Sequence, residues 1–334
     1  MSAGDPRDER IAWLERLRGP EKPDPAGVLR DLEWLAGPAR SLLTADGPHY
    51  PVQLAAVPGM PAALFVQGDP SVLARPQVAI VGSRAATAAG CETAFGFAAR
   101  LAAHGFAITS GLATGIDAAA HRGALAAGGV TIAVCGTGLD RVYPTGHERL
   151  AEEIAAAGAL VSEFTTGTPP APHNFPRRNR LMSGLARGVL VVEAAARSGS
   201  LITARLAGEQ GREVMAVPGS IHNPLARGCH RLIKDGAALV ETVDDVLSAL
   251  GVSRLESAPD ARESAKIPQG TLDSDAEMLL NALGFEPTDL DRLVERTGMS
   301  ARSVLSKLQL LELEGRVEAL AGGRYSRTTA RQDR

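Results

Sequence analysis

Cysteine is scarce and scattered in this chain of 334 residues: Cys91, Cys135 and Cys229 form no CxxC pair. That excludes a zinc site of the usual spacing and a disulfide framework, and leaves all three as small residues for a core. No run approaches the ~20 apolar residues that a membrane helix needs, and the amino terminus, MSAGDPRDER, is too charged for a secretory signal. A cytoplasmic protein without membrane contact is expected. Net positive charge is missing as well, since the formal balance is −3, whereas nucleic-acid binding rests on Lys and Arg.

What is present is the material of a folded protein, with 45% hydrophobic and 22% charged residues, and the length suits two or three domains. The charge is unevenly distributed. Residues 75–250 hold sixteen basic against fourteen acidic residues, and fifteen of the sixteen are arginines, which fork onto phosphates and stack on bases. A coding bias toward Arg and Ala would produce part of the same pattern.

The first ~70 residues show an apolar-periodic stretch from Ile11 to Leu17, a Pro-rich break, and a helical pattern over 26–43, predicting a short helical lead-in. From Val78 the pattern changes to short apolar runs, VAIV, FAIT, TIAV, ALVS, VLVV and EVMAV, separated by Ala-rich segments of helix length. Runs without polar alternation suit strands buried on both faces, so the reading is α/β: an extended Rossmann-like, doubly wound, mostly parallel sheet over 71–250. A polar stretch over 251–271 reads as a flexible linker. Residues 272–328 show three helical patterns and a hairpin with Gly322 and Gly323 at its turn, the order of a small winged-helix domain. Ten acidic residues against six basic over 272–326 favour protein contact over duplex reading by this module.

Three Gly-rich turns follow successive predicted strands. Gly82, Ser83 and Arg84 follow the first. Ser110, Gly111 and Gly115 belong to SGLATGID, and Gly136 and Gly138 to GTGLD. Such turns at the carboxyl ends of parallel strands present N–H groups to phosphate. The strict GxGxxG fingerprint is absent, and the second strand ends in ITSG rather than an acidic residue, which disfavours NAD. Asp117 is expected to orient a loop N–H or an arginine, and His121, four residues on, to form a helix-surface pair with it. The segment NFPRRNR brings Phe175, Arg177, Arg178, Asn179 and Arg180 together, a set able to contact phosphates, base edges and one base face of a single strand. Two readings of it stay open: Phe175 stacks a base or fills the core, and the arginines meet phosphates or pair with carboxylates. No nucleophile and base stand together, and no cofactor or metal is called for. The alternative function is a nucleotide- or sugar-phosphate-processing enzyme on a similar core, which would need a PGGxGT-type loop where VPGSIHN stands.

The ordered set GSR, SGLATGID, GTGLDRVYP, SEF, NFPRRNR, EAAARSGSLITA, GREVMAVPG and GCHRLIKDGA resembles the DprA/Smf family of DNA-processing proteins over about 50–246. The resemblance implies a non-catalytic protein that binds single-stranded DNA as a homodimer and loads RecA onto it during natural transformation, with single-strand-binding protein as a further candidate partner. It implies strand contacts at Arg84, Phe175, Arg178 and Asn179 with Arg180 nearby. It places His230, Ile233 and Leu239 where members make dimer or RecA contacts. The sterile-alpha-motif-like amino-terminal domain of the family is reduced here.

Overall fold

The structure is a computed structural model and describes residues 6–19, 24–55, 57–252, 274–283 and 287–327. The chain divides into two compact units, Met1–Leu255 and Glu256–Arg334. Most of the predicted linker, 253–271, lies outside the described residues.

In the first unit nine strands form one sheet: β1 Arg40–Thr44, β2 Ala63–Gly68, β3 Gln77–Val81, β4 Ala107–Ser110, β5 Thr131–Val134, β6 Ala159–Ser162, β7 Gly188–Val191, β8 Glu213–Ala216 and β9 Ala238–Leu239. Their order is β1-β2-β6-β5-β4-β3-β7-β8-β9, parallel from β6 to β9 and antiparallel where β1 pairs β2 and β2 pairs β6. The winding runs one way from β3 to β6 and then resumes beside β3 with β7, so the topological switch point lies between β3 and β7.

The helices are α1 Pro6–Arg18, α2 Pro25–Leu35, α3 Val52–Ala55, α4 Ala88–Ala103, α5 Ile116–Ala126, α6 Glu148–Ala157, α7 Asn174–Leu185, α8 Ser200–Glu209, α9 Arg227–Lys234 and α10 Val243–Ala249. They cover both sheet faces, and the strand pleat shows it. Ala79 and Val81 of β3 pack with α7 and α8 residues such as Leu181 and Ala204. Val78 and Ile80 of the same strand pack with Phe97 and Leu101 of α4. Every second residue faces the opposite helical layer, as a doubly wound sheet requires.

The predicted sheet and its helices stand. The lead-in needs a correction, because the helix expected over 26–43 stops at Leu35 and Arg40–Thr44 is a strand. With β2 it extends the sheet beyond β6. Two antiparallel strands thus join what was read as a helical segment.

The second unit holds α11 Ser274–Leu283, β10 Thr288–Asp289, α12 Leu290–Thr297, α13 Ala301–Leu313, β11 Val317–Leu320 and β12 Arg324–Arg327, with the strands in the order β10-β12-β11. Leu279, Leu293, Val304, Leu308 and Val317 form its core. Ser300 caps α13 by accepting from the Ser303 N–H at 3.2 Å. Gly322 and Gly323 take φ of +84° and +69° at the β11–β12 turn. This is the order of helices and hairpin predicted for a winged helix.

Candidate nucleic-acid interface

At the β3–β7 switch point the loops after β3, β4 and β7 separate and leave a cleft of about 750 Å³, where open α/β sheets bind ligands. Its walls are Gly82, Ser83 and Arg84 after β3, Ala113 and Asp117 after β4, and Ser198 to Ser200 at the start of α8. Phe175, Arg178, Asn179 and Met182 of α7 form the remaining side. A smaller recess of about 200 Å³ adjoins it between Arg84, Gly111, Gly136, Tyr143, Phe175 and Arg178.

The position of α7 follows from its first residue. Asn174 is buried and donates from Nδ2 to Gly136 O and Pro169 O, both at 3.1 Å, which fixes the helix start against the end of β5. The Phe175 ring then lies on Gly136, where an added Cβ would come within 3.0 Å of it. Its half-buried face receives the Arg84 guanidinium at 5.3 Å and the Tyr143 ring at 5.7 Å. Phe175 therefore neither plugs the core nor stands clear of its surroundings. It forms a small aromatic and cationic group with Arg84 and Tyr143, both exposed.

Arg178 is only 4% exposed yet borders both cavities. Its Nη1 donates to Met182 Sδ at 3.0 Å, and its Nε has no partner among the described residues. Burial lowers its pKa from the arginine norm, while the Asp117 carboxylate opposes that shift. An added Cβ on Gly111 would fall 1.5 Å from Arg178 Nη1, so a glycine is needed for the guanidinium to lie against this loop. Gly115 has φ of +75° and packs on Ser83 O, joining the second loop to the first. Leu112 carries φ of +60°, a conformation costing about 1–2 kcal/mol for a residue with a Cβ, and His147 Nδ1 donates to its carbonyl at 2.9 Å.

Asp117 does orient a loop N–H, that of Gly111 at 3.1 Å, and burial pushes its carboxyl pKa up. The reading of His121 as its surface partner is corrected: His121 is fully buried and its Nδ1 meets Thr131 Oγ at 2.7 Å. Ser110 is also buried, donating from Oγ to Ile80 O at 2.7 Å, and so ties β4 to β3. Gly138 lies against Asp140 and Thr165 and borders neither cavity.

The Arg cluster divides between two helix faces. Phe175, Arg178, Asn179 and Met182 recur at helical spacing and face the cleft. Arg177 and Arg180 lie three residues apart on another face, and both bond Glu163 Oε2, at 3.3 and 2.5 Å. Nothing in the local sequence marks Glu163 as their shared partner or Tyr143 as a neighbour of the Phe175 ring, because both contacts join separate segments of the chain.

Outside the cleft lining, Leu239 is exposed on the edge strand β9, and Ile233 is half-buried against the core. His230 Nε2 meets Gly219 O at 2.9 Å. Among the described residues no three His, Cys, Asp or Glu side chains gather as a metal site would require, and no helix is long and apolar enough to cross a membrane.

Comparison with known proteins gives a consistent answer. Residues 41–251 match the family described as DNA recombination-mediator protein A, and residues 263–323 match the DprA winged helix domain. Protein Smf of Escherichia coli K12 is 47% identical over 293 residues, 87% of this chain and 78% of that protein. A crystal structure of DNA processing protein A from Streptococcus pneumoniae superposes with a TM-score of 0.63 at 43% identity, covering 67% of this chain and 77% of that one. DNA processing protein A from Helicobacter pylori, described for its single-stranded DNA binding mode, gives a TM-score of 0.58 at 30% identity, covering 63% and 95%.

Proposed function

The chain belongs to the DprA/Smf family of DNA recombination mediators, and from that premise we propose that its β3–β7 cleft binds single-stranded DNA. The observation that carries this reading is the convergence of Arg84, Phe175 and the buried Arg178 on one cleft at the switch point. A cation over an aromatic face, beside a second cation held below it, suits a phosphate and its base together. A duplex keeps its bases stacked inside, so a cleft of this kind favours a single strand.

The strand contacts assigned by this reading are Arg84, Phe175, Arg178 and Asn179, with the backbone of Gly82, Ser83, Gly111, Gly115 and Gly136 lining the phosphate path. The protein acts as a homodimer that delivers the bound strand to RecA during natural transformation, with His230, Ile233 and Leu239 at the contact surface. The exposed Leu239 on an open sheet edge supports such a surface. The protein is cytoplasmic and works by binding, without catalysis. Asp117 in the cleft wall accepts from the Gly111 N–H, which is a loop-positioning role.

The test is titration of a fluorescent oligonucleotide against wild type and Arg84→Ala over a range of salt. Arg84 is exposed and its loss leaves the core intact. The variant should bind every sequence more weakly, and its slope of log K against log salt should fall by about 0.7, the value of one lost phosphate contact on a single strand. Unchanged affinity and slope would remove Arg84 from the site.

A further inference from the structure

The geometry points to Glu163 as an internal competitor of DNA phosphate: its carboxylate holds Arg177 in reserve, and the strand must displace it to recruit that arginine. This inference rests on the single-strand reading of the cleft.

The two arginine bonds at Glu163 are unequal. Arg180 is the close partner at 2.5 Å, with its side chain 17% exposed, beside a carboxylate only 5% exposed. Arg177 is the distant partner at 3.3 Å, and its side chain is 57% exposed. Both arginines bond the same oxygen, Oε2, so Arg180 keeps the buried carboxylate compensated when Arg177 leaves. An uncompensated buried charge would make that departure unfavourable. With Arg180 in place the exchange reduces to the loss of one solvent-exposed ion pair.

Arg177 lies outside the cleft lining, but its neighbours Pro176 and Arg178 both border the cleft, so a strand that extends beyond the cleft over Pro176 comes within reach of this exposed arginine side chain. Its guanidinium rests over the Phe164 ring at 5.1 Å, so the planar group is already supported and needs only to exchange one anion for another. A phosphate supplies the same acceptor chemistry as the carboxylate. The consequence is a site that begins at Arg84 and Arg178 and engages Arg177 only when the bound strand reaches past Pro176.

Glu163→Gln removes the competing charge while leaving a hydrogen-bonding side chain beside Arg180. It should tighten binding of a long oligonucleotide by roughly two- to five-fold, the scale of an exposed ion pair. Most of that gain should vanish when Arg177→Ala is present in both backgrounds, a dependence that a merely structural effect of Glu163 would not show. Glu163→Asp keeps the charge near Arg180 and weakens the longer bond, giving a smaller gain in the same direction, and it serves if the glutamine variant fails to fold. Equal affinity in wild type, Glu163→Gln and Glu163→Asp, or a gain that survives loss of Arg177, overturns the proposal. Wild type that binds no oligonucleotide would instead overturn the single-strand reading itself.

Discussion

His121 is enclosed on all sides, and its ring proton sits on Nδ1, because Thr131 Oγ already donates to Ile108 O at 2.7 Å and can only accept from the ring. Burial pushes its pKa down to about 3, and the charges of Arg178 and His147 act in the same direction. An unfolded histidine titrates near 6.5. Between about pH 6.5 and 3 the unfolded chain therefore binds a proton that the folded chain refuses. The stabilisation from a neutral His121 is complete above that window and lost as pH falls through it, with a slope approaching about 1.4 kcal/mol per pH unit. Asp117, whose pKa is raised by burial, acts in the opposite sense and is common to wild type and variant. Thermal melts of wild type and His121→Gln between pH 4.5 and 7 should diverge, with wild type the more acid-sensitive. Parallel curves would mean that the ring takes up its proton in the folded state.

The site was partly legible at this scale. Arg84 and Phe175 announce themselves by residue type after a strand and within an Arg-rich segment. The inward turn of Ser110 and the burial of His121 were not, because the first depends on a partner thirty residues earlier, Ile80 O, and the second on one ten residues later, Thr131. Residue type gives capacity for a contact, and the fold decides which contact is made.

At the scale of elements, α7 shows why adjacent arginines need not act together. Arg177 and Arg178 are neighbours in sequence, yet a helix turns about 100° per residue, so one faces Glu163 and the other the cleft. The sequence reading treated NFPRRNR as one cluster because it had no helix on which to place it. Phe175 shares the cleft face and stands between Gly136, Tyr143 and Arg84. Phe175→Ala should weaken oligonucleotide binding by about 1–3 kcal/mol, the contribution of one stacked base, while Phe175→Trp should retain most of it. Equal affinity for the alanine variant in the same titration would leave the ring a purely structural role.

The strands show the same division between what is local and what is not. β3 to β8 are continuous apolar runs between Gly-rich turns, so their pattern is self-contained. β1 and β2 were missed because RSLLT follows directly on a helical pattern and ALFVQG sits among prolines and glycines. Their strand state is secured by partners: each other, and for β2 also β6, some 90 residues away. Pairing and burial override weak local preference there, as the complete burial of Leu64 and Val66 indicates.

For the whole molecule, the decisive fact is that each unit has a hydrophobic core of its own. Among the described residues, the three clusters of the first unit draw on residues up to Val252, and the cluster of the winged helix on residues from Ala276 onward. Each unit can bury its own apolar surface, so neither requires the other to fold. The charge is divided along the same line, since residues 272–326 carry ten acidic and six basic residues. The outward residues of α13 include Arg302, Leu305, Gln309, Leu310 and Leu313, which offer one cation to a phosphate backbone. A fragment of residues 1–252 should therefore bind oligonucleotides within about a factor of two to three of the whole chain, the range expected of independent sites. A fragment of residues 272–328 should show no comparable affinity. If instead the first fragment folds but loses most of its affinity, the winged helix must contribute directly to strand binding despite its acidic balance.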